Sequence, residues 1–146
     1  MTARAAHAVV LPYWFDRPAS EALDVAREAE RLGYAELWIG EMATFDAFAL
    51  GGAIARETTR ITLTLGPLAL GVRSPVALAL GAGSVSELGG RPARLALGAS
   101  SPAIVAGWHG RPYARLPEVA RETIAAVRPL LRGEGDRKNK RTFQVR

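Results

Sequence analysis

The spacing of apolar positions changes several times along the chain, and each change marks an element. Ala8, Val9, Val10 and Leu11 form a short apolar run ending at Pro12, which predicts a first buried strand. Tyr13, Trp14 and Phe15 follow as an aromatic loop. From Ser20 the period becomes helical. Ala22, Leu23, Val25, Ala26, Ala29 and Leu32 share one stripe, charged residues occupy the rest, and Gly33 stands just past the end. Residues 35–40 predict a second strand with Glu41 at its exit. Thr44 reads as the cap of a second helix over residues 45–57, with Asp46 in the first turn, where the helix dipole favours a carboxylate. In residues 61–65 Ile61, Leu63 and Leu65 alternate with Thr62 and Thr64, all strand formers, and Gly66 and Pro67 read as the stop. Ser74 before Pro75 caps a third helix reaching about residue 88, which Gly89 and Gly90 close. Residues 94–98 predict a fourth strand, leading into the small-residue turn Ala99, Ser100, Ser101 and Pro102. A loop over residues 107–116 and a helix over 117–132 complete the pattern. Pro129 is expected to kink or shorten that helix's last turn.

Strand and helix thus alternate four times, and the strands are mostly apolar. This is the pattern of an α/β fold with a parallel sheet covered by helices. Four such units suit a small open sheet or half of an eight-unit barrel. A whole barrel takes roughly 250 residues, and this chain has 146. In either architecture the loops after the strands gather at one end, where a common site is expected. Four parallel strands also leave two open edges, which invite pairing with another chain.

Composition narrows the chemistry. There is no cysteine, which excludes a disulfide framework, a thiolate nucleophile and a thiolate metal site. The two histidines, His7 and His109, are too far apart in sequence to imply a metal pair, and no metal is expected. The start lacks a signal-peptide core, and the most apolar run, residues 76–82, is far below the ~20 residues that cross a bilayer. A cytoplasmic protein without membrane contact is the reading. The net charge of +5 gathers at the end, where six basic residues from Arg132 onward face two acidic ones. Residues 133–146 read as a solvated basic tail. A nucleic-acid site at residues 137–141 would show affinity that collapses with salt, and no nucleic-acid partner is expected.

Several stretches taken together resemble the N-terminal half of the luciferase-like family of flavin and deazaflavin oxidoreductases. They are Ala29-Glu30-Arg31-Leu32-Gly33-Tyr34-Ala35-Glu36-Leu37-Trp38-Ile39-Gly40-Glu41, the turn Gly71-Val72-Arg73-Ser74-Pro75, and Leu88-Gly89-Gly90-Arg91 before Leu95-Ala96-Leu97-Gly98. The most specific is Gly107-Trp108-His109-Gly110-Arg111-Pro112-Tyr113, which is similar to the branch that uses coenzyme F-420. The resemblance implies a TIM-type (β/α)8 barrel, of which residues 1–132 would be the first half. It also implies coenzyme F-420 or FMN bound at the C-terminal mouth of the strands, with hydride transfer or oxygen activation on a small organic substrate.

The resemblance carries a non-prolyl cis peptide to the neighbourhood of Leu68 and Ala69, with Gly66 and Pro67 shaping the turn behind the ring. Gly98, Ala99 and Ser100 would hold polar atoms of the cofactor through backbone N–H groups and a hydroxyl; a plain tight turn of small residues is the other reading. Glu41, Trp14 and His109 would orient substrate or ring, although a loop carboxylate, a packed aromatic and a loop anchor are the plainer readings. Met42 stands where many relatives carry histidine, so catalysis would rest on the cofactor, with the protein positioning it. The short span leads us to expect a homo-oligomer or a C-terminal half supplied elsewhere. The alternative is a non-catalytic half-barrel fragment that needs a partner chain or is a truncated remnant.

Overall fold

Parallel pairing in strict chain order builds the sheet of the computed structural model, which describes residues 7–11, 17–41 and 45–134. Its elements are β1 (Ala8–Val10), α1 (Ala19–Arg31), β2 (Glu36–Ile39), α2 (Ala47–Glu57), β3 (Thr62–Ala69), α3 (Pro75–Gly89), β4 (Arg94–Gly98), a π-helical turn (Ala103–Trp108) and α4 (Leu116–Leu131). The sheet order is β1-β2-β3-β4, with every pair parallel. This is the expected architecture, four consecutive β/α units of the TIM-barrel type. Trp14, Met42, Thr44 and the tail from residue 135 lie outside the described residues. Among the described residues no helix is long and apolar enough to cross a membrane.

Strand alternation decides where the core sits. Leu37 and Ile39 of β2 and Leu63 and Leu65 of β3 point to one face and join Ala22, Ala26, Ile54, Leu78, Ala82, Val85 and Val127 of the helices in a single buried cluster. The other face carries Val10, Glu36, Trp38, Thr62, Thr64 and Arg94. Thr64 Oγ1 donates to the Glu36 carboxylate there, and Arg94 Nη1 approaches the same group at 3.4 Å. β1 was expected to be buried, yet Val10 is 55% exposed. The reason is topological: among the described residues β1 has a neighbour on one side only, and no helix covers the face that Val10 shares.

Four other expectations are corrected. Gly66 and Pro67 do not stop the third strand, because β3 crosses them through a bulge between Leu65 and Leu68 and continues pairing with β4 to Ala69. The cis bond is the prolyl one, Gly66-Pro67, rather than a non-prolyl bond near Leu68 and Ala69. Proline loses most of the trans preference that makes other cis bonds rare. Asp46 caps α2, since its Oδ1 accepts the N–H groups of Phe48 and Ala49 at 2.9 Å each. Part of the expected loop after residue 107 belongs to the π-helical turn. Ser74 caps α3 as expected, accepting from Ala77 N at 3.2 Å. Beyond Pro129, α4 runs on to Leu131 and closes by short-range bonds to the Pro129 and Leu130 carbonyls.

Glu30 ties α1 to the turn before β3. Its carboxylate accepts the backbone N–H groups of Thr59 (2.9 Å), Arg60 (2.6 Å) and Ile61 (2.9 Å). Burial pushes this carboxyl up, but the three N–H donors outweigh it and hold the group below its ordinary range. A depressed folded-state pKa contributes stability above the unfolded value, about 4.3, that is lost as pH falls through the folded one. Glu30→Gln is therefore expected to cost about 1–3 kcal/mol at neutral pH. Melting curves at pH 7 and pH 3 should show the gap to the parent narrowing in acid.

Candidate functional site

The C-terminal ends of β3 and β4 meet at the bulge, and a cavity of about 530 Å³ opens beside them. Pro67, Ala69, Val72 and Ile104 supply apolar wall, Ser100, Ser101, Glu41 and Arg73 the polar groups, and Trp108 and His109 the far rim. Two close approaches shape it. A Cβ on Gly66 would stand 2.2 Å from the Ala96 carbonyl oxygen, and one on Gly98 would stand 3.0 Å from Pro67 Cβ. Only glycine lets the bulge press this tightly on β4. Pairing of Ala69 with Gly98, and Leu70 N to Gly98 O at 2.9 Å, then fixes the floor.

Beyond β4 the chain turns sharply. Ser100 takes φ +60, uncommon for a residue with a side chain, and Tyr113 donates its hydroxyl proton to the Ser100 carbonyl at 3.2 Å. Such a conformation persists where surroundings impose it, and it clusters at ligand sites. The π-helical turn that follows leaves Trp108 60% exposed in the cavity lining. π turns recur at functional sites for the same reason, that they bend the chain to aim a side chain.

Two of the lining residues, Glu41 and Arg73, belong to an ionic cluster. Glu41, at the exit of β2, receives both terminal nitrogens of Arg73, which also reaches Asp46. The Glu41 hydrogen bond, more than any other influence, holds the Arg73 pKa above its ordinary value. Burial pushes Asp46 up, but the Ala49 and Phe48 N–H groups and the Arg73 guanidinium together hold it below the usual carboxylate range.

Of the residues singled out in the sequence, Glu41, Pro67, Ala69, Gly98, Ala99, Ser100 and His109 line one cavity. Gly66 is buried behind it and acts on its shape. Leu68 is fully buried in the helix-side core and does not line the cavity. Trp14 lies outside the described residues. Sequence reasoning gave no role to Arg73, Val72, Ser101 or Ile104. Arg73 did carry a signal, as the single charged residue between Arg60 and Glu87.

The model of the luciferase-like monooxygenase family matches residues 3–145. The chain belongs to this family. Among the relatives of this luciferase-like chain is a Mycobacterium tuberculosis protein named as a coenzyme F-420-dependent oxidoreductase, 30% identical over 120 residues that make up 82% of this chain and 35% of that one. Of solved structures, the coenzyme F-420-dependent tetrahydromethanopterin reductase from Methanopyrus kandleri superposes with a TM-score of 0.76 at 18% identity, over 90% of this chain and 41% of the reductase. The oxygenating constituent of 3,6-diketocamphane monooxygenase from Pseudomonas putida, solved with FMN, gives a TM-score of 0.70 at 21% identity, over 82% and 37%. At these identities the two structures speak for the fold. The luciferase-like chain spans less than half the length of each of these three proteins.

Proposed function

We propose that the cavity holds the ring of coenzyme F-420 or FMN, and that the luciferase-like unit serves hydride transfer or oxygen activation on a small organic substrate. The observation that carries this is the cavity itself, at the C-terminal strand ends where β/α-barrel chemistry is placed. Its residues suit a flat heteroaromatic ring. Pro67, Ala69, Val72 and Ile104 offer an apolar surface, and the hydroxyls of Ser100 and Ser101 and the carboxylate of Glu41 offer edge contacts. When bound, such a ring supplies the redox chemistry. The named relatives support the same cofactor pair, F-420 in two of them and FMN in the third. The chain's own part is to press the β3 bulge behind the ring, orient its edge and keep water from one side.

Among the described residues one sheet face is uncovered and β1 and β4 are each paired on one side only, which favours a second element in this reading, a further β/α-bearing partner that completes the mouth. Titration of the purified chain with FMN and with coenzyme F-420, followed by fluorescence beside light scattering for mass, tests both. Saturable binding of one cofactor by an assembly larger than one chain is the expected result. Absence of binding by a monomer would overturn the enzymatic reading and leave a non-catalytic half-barrel.

A further inference from the structure

The Arg73 guanidinium is engaged on three sides. Nη1 donates to Glu41 Oε2 at 2.5 Å and Nη2 to Glu41 Oε1 at 2.6 Å, a two-pronged fork, while Nη2 also reaches Asp46 Oδ2 at 2.6 Å. The Phe48 ring lies 5.3 Å from the guanidinium carbon. That ring is itself lodged against α3, where a Cβ on Gly81 would meet it at 2.6 Å. One cation therefore joins the exit of β2, the first turn of α2 and the turn between β3 and α3. Asp46 divides its oxygens, one capping α2 and the other holding Arg73. The Arg73 and Glu41 side chains are only 20% and 21% exposed, and both face the cavity.

A half-buried ion pair is a weak source of stability, because removing two charges from water offsets much of their attraction. A guanidinium fork supplies geometry instead, since its planar donors accept a carboxylate in one orientation. We propose that Arg73 is the positioning residue of this site, fixing Glu41 on the cavity wall as an acceptor for an N–H or O–H group of the bound ligand. The proposal rests on the ligand-binding reading above and deepens it. The fork uses two of the roughly four acceptor directions of the carboxylate, leaving the others for a ligand donor. Two carboxylates more than balance the single Arg73 charge, so this wall selects a donor edge over a phosphate or carboxylate. Glu41 touches the ligand, and Arg73 acts through it.

The test compares the parent with Arg73→Lys, Asp46→Asn and Glu41→Gln. In the ligand-free protein, side-chain NMR of the Arg73 guanidinium should show two resolved Nη signals, because a gripped fork cannot rotate freely, and Glu41→Gln should merge them. Affinities for FMN and coenzyme F-420 are then read with melting temperature on the same samples. Arg73→Lys keeps the charge and loses the fork. It should melt within a few degrees of the parent yet bind about tenfold more weakly, while Asp46→Asn, which leaves the fork on Glu41, binds nearly as the parent does. Averaged Nη signals in the parent, parental affinity in Arg73→Lys, or affinity that merely follows melting temperature would each overturn the proposal. If the parent binds neither cofactor, the cofactor reading fails by itself. Resolved signals would then still uphold the grip on Glu41, and averaged ones would refute it.

Discussion

Gly66→Ala is expected to lower stability by roughly 3–5 kcal/mol, among the largest effects of any single substitution in the chain. Gly66 sits at φ +137, a conformation that residues with side chains rarely adopt, and the added Cβ would meet the Ala96 carbonyl oxygen at 2.2 Å. That oxygen is backbone of the adjacent strand. It cannot swing aside as a side-chain terminus can, so relief requires β3 and β4 to part. For a chain of this size each kcal/mol moves the melting temperature about 2–4 °C, so a fall of about 10 °C or more should appear by circular dichroism. Gly33→Ala is the control. It shares a positive φ, +81, with nothing within 4 Å of the new Cβ, and should cost only about 1 kcal/mol. The difference isolates the clash. Because the bulge walls the cavity, Gly66→Ala should also lose ligand at temperatures where it is still folded. A melting point within two degrees of the parent would refute this account of the bulge.

The same bulge shows where local reading of the sequence reaches its limit. Four strands and four helices were legible because period and capping are local: Ser74 and Pro75 start α3, and residues 94–98 match β4 exactly in extent. Gly66 and Pro67 read as breakers by the same local logic, but pairing with β4, contributed by residues some thirty positions away, carries the strand through them. The exposure of Val10 was illegible for a related reason, since an apolar run records what a strand can bury and not what covers it. In the site, residues at strand exits were found because a parallel sheet puts all exits at one end. Alternation within β3 then divides neighbours that the sequence treats alike, sending Ala69 to the cavity and Leu68 to the core. The Arg73 fork depends on Glu41 and Asp46 converging from another β/α unit, which no local spacing encodes.

At the opposite end of the sheet, Arg91→Leu is expected to cost about 3–4 kcal/mol while leaving the cavity untouched. Arg91 lies between α3 and β4 and reaches back across the strand starts. Its Nε donates to the Ile61 carbonyl at 3.0 Å, and Nη1 to the Thr58 and Gly89 carbonyls at 2.8 and 3.1 Å. Nη2 donates to Thr58 Oγ1 at 2.6 Å. Thr58 is 2% exposed, so leucine would strand its acceptors away from water, and the desolvation penalty of each would no longer be repaid. Arg91→Lys should recover only part of the loss, because one ammonium cannot span the same acceptors as a planar guanidinium. Melting temperatures of the two variants, about 10 °C and somewhat less below the parent, check the ranking. In β/α-barrel folds the strand starts serve stability and the strand ends serve chemistry. Below its melting temperature, then, Arg91→Leu should bind ligand as the parent does, whereas Arg73→Lys keeps its melting temperature and loses affinity. The reverse pairing would mean that the two ends of this sheet are not separable in that way.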